Sequence, residues 1–410
     1  MLHLPWWGNT LAAFLLTHLS IISVTLYLHR HKAHRALSMH PALSHLFRAW
    51  LWLTKGIITQ EWIAVHRKHH ARVESCDDPH SPQQVGILSV LFGGLLLYQR
   101  AARDSKTLRK YGFDAPNDRI ERGLYRRFPN VGLALMLAID LIVFGPLAGA
   151  IIYAVQLIWI PFWAAGVING LGHYFGYRNY EVTDASRNIV PWGLLVGGEE
   201  LHNNHHAFPQ SARFSTRWFE IDLGWMYLKL LNQLRMIKIH RIQPIMEERL
   251  ATHQCDNATL QAFLVNRFEI LAEYAQHVVS KVVHEARLHM FHRERRQLMR
   301  QAGHLMRTET LGLNPHADNQ LQKALSLSPR LQTVYQMKQQ LQSIWTRSTD
   351  SSDVLVHQLE DWCRAAEQSG IQALEGFSER LRTYRIAVSY THLRAHETDS
   401  YLVCRLLLEK

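Results

Sequence analysis

Three short runs of the chain carry the residue types that do chemistry: HRHKAH at 29–34, HRKHH at 66–70 and HNNHH at 202–206. On a helix, positions i, i+3 and i+4 share a face. His66, His69 and His70 can therefore point one way, and so can His202, His205 and His206. His29 and His34 stand five apart, a spacing expected at a helix end where the chain can turn. Imidazoles suit iron, zinc or copper. Eight of them are too many for one metal and too few to saturate two octahedral ions. Open coordination positions on a redox metal permit oxygen chemistry. The alternative, solvated surface histidines, fits a single HxxHH well. It fits poorly two HxxHH motifs and an HxxxxH placed at the ends of apolar segments.

Those apolar segments have to position the clusters. Leu11 to Leu28 is close to the length of about 20 residues that a spanning helix needs. It runs straight into the first cluster without a basic leader, so it reads as a retained anchor rather than a cleaved signal. Residues 131–147 and 148–168 read as a helical hairpin broken at Gly145-Pro146, with Asp140 expected to face protein rather than lipid. The segment 41–59 is apolar but carries His45, Arg48 and Lys55. A crossing there would put the first two clusters on opposite sides, so it is expected to be an in-plane amphipathic helix. Nine Lys and Arg residues between Arg100 and Arg127 place that loop, and with it the clusters, in the cytoplasm by the positive-inside rule. The formal net charge of +11 suits anionic partners. The apolar segments assign it to lipid rather than nucleic acid. Four scattered cysteines without a CxxC pair exclude a disulfide framework or a zinc ribbon.

Three domains are expected: 1–240 in the membrane, 241–387 as a polar helical extension, and 388–410 as a tail. Leu264, Phe268, Leu271, Ala275, Val278 and Val282 form a helical seam in the extension. Ser328-Pro329 reads as a helix start, and Leu374, Phe377 and Leu381 as an apolar face. His277, His284, His289, His292 and His304 lie outside any ligand cluster and read as surface or packing residues. The tail resembles a peptide translated from sequencing-adapter DNA and is expected not to belong to the fold. The fold class is all-α: integral membrane helices, a cytoplasmic histidine cap for two metals and a soluble helical extension.

The sequence over roughly 11–240 resembles the membrane fatty acid desaturases, in particular the acyl-CoA Δ9 class. The pattern HxxxxH, HxxHH, HxxHH is matched by the three clusters. The flanks match at Glu61-Trp62, Asp78-Pro79-His80, Asn169, His173, Phe175-Gly176-Tyr177-Arg178 and Phe208-Pro209. The resemblance implies a ninth histidine ligand at His173 and a metal-bound water held by Asn169. It implies one iron on His29, His34, His66, His70 and His205, and a second on His69, His173, His202 and His206. His31 and His80 are extra to the pattern. The implied reaction inserts a cis double bond, at Δ9, into saturated C16 or C18 chains. O2 is the oxidant, and two electrons come from a separate reductase or ferredoxin. The implied location is the bacterial inner membrane, multi-pass. One departure concerns the acyl carrier. Animal acyl-CoA desaturases hold CoA with an Arg-Asp pair just before the second cluster, and here Ala64 and Val65 stand there. The basic pair after the next apolar segment is also shifted, to Tyr98-Gln99-Arg100. CoA and a phospholipid both remain as carriers.

Two other classes compete. Membrane di-iron hydroxylases and alkane monooxygenases usually carry acidic residues inside their boxes, and none of these three boxes does. A non-enzymatic metal-handling protein would place ligands within its spans rather than at their ends.

Overall fold

The apolar run before the first cluster forms one long helix. Trp6–Ile22 is α-helical, and Ser23–Ala33 continues it with π-helical winding. In this computed structural model, residues 2–249, 254–288, 290–308, 315–346 and 351–387 are described. The expected turn between His29 and His34 is replaced by this winding. On an α-helix residues five apart diverge by about 140°. In π winding each N–H bonds five residues back, and the His34 N–H donates to the His29 carbonyl at 3.0 Å. The two rings thus come together, with centroids 4.8 Å apart.

The chain divides into two compact units, 1–178 with 184–243, and 179–183 with the chain from Pro244 onward. In the first unit, Trp6–Ala33 and Pro146–Leu171 are long and apolar enough to cross a membrane. Pro129–Phe144 and Ile87–Ala102 are shorter apolar helices. The first of these ends at Gly145, where φ is +86°. Ile87–Ala102 was not among the expected spans. It packs on the 161–171 segment by close backbone approach: a Cβ on Gly94 would sit 2.2 Å from the Ala165 carbonyl oxygen. Asp140 is fully buried and accepts a hydrogen bond from the Gln156 amide at 2.9 Å, as expected of an acid turned from lipid. The amphipathic helix near 41–59 runs over Pro41–Lys55 and buries Leu43, Phe47, Leu51 and Trp52. It stops short of 59 because Gly56 adopts a left-handed conformation, and Thr59–Arg72 then starts the helix that carries the second cluster. A short antiparallel ladder pairs Leu37–Met39 with Ile237–Ile239, tying the segment after the first cluster to the end of the unit.

The second unit is helical, with one ladder between Met246–Glu248 and Tyr384–Ile386. The expected seam is split at Asn266 into Asn257–Val265 and Arg267–Tyr274, followed by π winding over Ala275–Val279 and the helix Ser280–Leu288. Leu271, Ala275, Val278 and Val282 are buried along it. The Ser328 hydroxyl accepts the Leu331 N–H at 3.3 Å, capping Pro329–Thr346. The Phe377 ring lies 5.1 Å from that of Tyr274 and 5.9 Å from that of Trp362, in a core of aliphatic side chains. Among the described residues, no histidine of this unit joins a group able to hold a metal. His289 and the 388–410 tail lie outside the described residues.

Candidate metal centre

The elements converge through polar contacts made by the residues between the histidines. Arg30, fully buried, donates to Asp222 at 2.8 Å and to the Ala212 and Gly197 carbonyls at 2.8 and 3.1 Å. Its guanidinium lies 3.8 Å from the Phe214 ring centre, and that ring touches His29 and His205. Arg67 of the second cluster donates to the Ala33 and Lys32 carbonyls, holding its helix against the end of the first. In the third cluster, Asn203 donates to the Ser186 carbonyl. Asn204 donates to Glu220 and the Phe214 carbonyl, and accepts from Asn188. The spacer residues build the scaffold while the histidines face inward.

The nine histidines come together in two groups: His29, His34, His66, His70 and His205, and His69, His173, His202 and His206. Within each group one ring nitrogen per residue lies within 4.8 Å of all the others. Four rings are held by carboxylates at Nδ1. His29 meets Glu199 at 2.7 Å, His69 meets Asp78 at 3.0 Å, His173 meets Glu74 at 3.3 Å and His206 meets Asp184 at 3.0 Å. An ionised carboxylate only accepts, so each of these Nδ1 atoms carries the proton and each Nε2 offers a lone pair. Glu74 reaches His173 from a left-handed backbone conformation, φ +60°.

The inward nitrogens have no satisfactory arrangement among themselves. His29 Nε2 and His205 Nε2 are 3.1 Å apart, His205 and His70 2.9 Å, His34 and His66 2.7 Å, and His202 and His173 3.0 Å. His205 Nε2 faces two neighbours and has at most one hydrogen to give. His69 Nε2 and His206 Nε2 are buried without any partner. Converging lone pairs of this kind fit a cation and little else. Burial pushes His34, His66, His70, His202, His205 and His206 well below the usual imidazole range, which keeps them neutral as ligands must be. His69 differs: burial lowers it, but the charge and hydrogen bond of Asp78 outweigh burial and raise it.

Asn169 lies one helical turn before His173, half-buried, and its side chain makes no hydrogen bond among the described residues. His31 turns away, with Nδ1 at 3.0 Å from the Leu37 carbonyl. His80 is buried and stacked on His69 at 4.4 Å, and with His69 and Asp78 forms a third, overlapping group. Sequence reasoning missed Arg30, Glu74, Asp184, Glu199 and Asp222. Asp78 stood out only as part of a flanking motif; Glu74 and Glu199 lie nearer to a cluster, but the rings they hold belong to other segments.

The fatty acid desaturase family model matches residues 5–233, more than half of the chain, so the chain belongs to that family. Within it, the sn-1 stearoyl-lipid 9-desaturase of Synechocystis sp. is 31% identical over 227 residues, 54% of this chain and 68% of that one. The enzyme of the same description from Anabaena variabilis is 31% identical over 219 residues, 52% and 76% of the two chains. Delta-9 acyl-lipid desaturase 2 of Arabidopsis thaliana is 29% identical over 237 residues, 55% and 72%. The chain is thus an oxidoreductase, a fatty-acyl desaturase of Δ9 type. A second family model, described as a transposase, matches residues 255–394. No cluster able to hold a metal lies among the described residues of that stretch.

Proposed function

We propose that the two imidazole groups hold two iron ions and that the substrate is a saturated acyl chain esterified to a glycerolipid. The carrying observation is the pair of converging nitrogen sets, each within 4.8 Å, in which His69 Nε2 and His206 Nε2 are buried without a partner. Bound iron would supply the oxidation that an unactivated methylene requires. The balance is one O2, two external electrons and two protons, with one hydrogen removed from each of two neighbouring carbons and two waters formed. The chain's own residues fix the geometry. Glu199, Asp78, Glu74 and Asp184 orient four rings through Nδ1, and Arg30 locks the first cluster to the 197–222 segment. Trp62 stacks on His66 at 4.9 Å and shields that side of the site. Asn169, whose side chain makes no hydrogen bond among the described residues, would hold a water beside His173.

A lipid carrier is supported by Ala64 and Val65, which are 0% and 2% exposed and so present no charge for a CoA head group. The acyl-lipid specificity in the names of the relatives points the same way. The basic stretch from Arg100 to Arg127 supports a cytoplasmic active site, reached by electrons from a separate reductase or ferredoxin. The test is reconstitution with iron and an electron donor, offering stearoyl-glycerolipid or stearoyl-CoA, followed by gas chromatography of methyl esters. A Δ9 monoene from the glycerolipid and two irons per chain are expected. Product from stearoyl-CoA alone would overturn the carrier, and a hydroxylated product would overturn the reaction.

A further inference from the structure

In the second unit the helix Arg293–Thr308 has two faces of opposite chemistry. Met299, Ala302 and Met306 are fully buried. Arg293, Arg296, Arg300 and Arg307 fall within about 60° of one another on a stripe centred about 120° from the buried one. These four and Arg287 line two adjoining cavities of about 620 and 570 Å³, which share Arg287, Arg300 and His304. No carboxylate lines either cavity. Among the described residues none of the five arginines has an ion-pair partner. Arg296 donates to the Met290 carbonyl and Arg307 to the Ser280 hydroxyl, both neutral acceptors. The nearby Glu285 is taken by Arg330 at 3.2 Å. Guanidiniums crowded together repel unless an anion is shared among them.

The chemistry of the anion follows from the residue type and the rim. Every cation of the helix is arginine, whose planar fork suits the paired oxygens of a phosphate. Leu288 and Phe291, just before the helix, are 68% and 95% exposed. A merely solvated basic face gains nothing from a bare leucine and phenylalanine at its edge. A bilayer interface accepts both, with arginines at the head groups and apolar side chains at the acyl boundary. The same chain carries helices able to cross a membrane, which keeps a bilayer at high effective concentration. We infer that the arginine face of Arg293–Thr308, with Leu288 and Phe291 at its rim, binds the phosphate head groups of an anionic lipid surface.

The test uses the full-length, iron-loaded protein in nanodiscs of phosphatidylcholine alone or mixed with phosphatidylglycerol. Amide hydrogen exchange is followed over residues 290–308. Exchange about tenfold slower with phosphatidylglycerol is expected, lost at high salt and in the triple variant Arg293→Gln, Arg296→Gln, Arg300→Gln. Phe291→Ser should weaken the effect. Unchanged exchange over 355–381 shows that the variants remain folded, and iron content and desaturation should stay as in the parent. Equal protection in the two lipids overturns the inference. So does full protection by inorganic phosphate, or by a short DNA duplex, added to phosphatidylcholine nanodiscs.

Discussion

Both units have an apolar core, but only the first surrounds a polar centre with it. At the centre of the first lie nine imidazoles, four carboxylates and a buried Arg30–Asp222 pair. The centre of the second holds Leu, Val, Met and the rings of Tyr274, Trp362 and Phe377. An apolar core stabilises by leaving water. A core of polar groups is stable only when each finds a partner; in the first unit His69 Nε2 and His206 Nε2 find none, and His205 Nε2 faces two neighbours with at most one hydrogen to give. A bound cation would complete the centre of the first unit, and among the described residues of the second no histidine group of that kind occurs.

Replacing one histidine of the two groups is the most severe way to test that contrast. His69→Ala or His206→Ala should lower desaturation by more than about a hundredfold and reduce bound iron, since neither has a substitute. Full activity with unchanged iron would end the ligand assignment. The counterpart in the second unit is Phe377→Ala, expected to cost about 3–5 kcal/mol of that unit's stability through the cavity it leaves. Bound iron should not change. Loss of iron in this variant would mean that the two interiors are not independent. Asp184→Asn leaves shape but removes the charge that holds His206, and a fall of about ten- to a hundredfold in iron affinity is expected, read by competition with a chelator. In Asn169→Ala iron should stay while turnover drops about tenfold. Iron lost in step with activity would make Asn169 structural. The smallest effect belongs to His31→Ala, where activity should change by less than about twofold, because this ring bonds the Leu37 carbonyl and faces away from both groups.

How much of this the sequence discloses follows from distance along the chain. The HxxHH clusters are local, and helical periodicity alone places their rings on one face. The caps and apolar faces of the second unit are local too, as at Ser328 and Leu374. Two of the four carboxylates that orient the rings come from remote segments. Glu199 serves His29, and Glu74 serves His173, with no spacing rule to link them. The apolar segment that forms Ile87–Ala102 does not read as a span because Gly93-Gly94 interrupts a short apolar run. Gly94 is the residue that allows its close packing. The five-residue spacing of His29 and His34 was legible, but its remedy was not: the backbone changes its winding instead of turning.

The composition of the two nitrogen groups also sets an order of assembly. Each draws on the second cluster and on the third, through His205 in one and through His202 and His206 in the other. A growing chain that has reached His70 has exposed five of the nine rings but completed neither group. Both close only once the segment up to His206 has left the ribosome and folded back. Any metal would thereby be taken up only at a late stage of biogenesis, and a truncated translation product would carry loose histidines rather than a half-formed group.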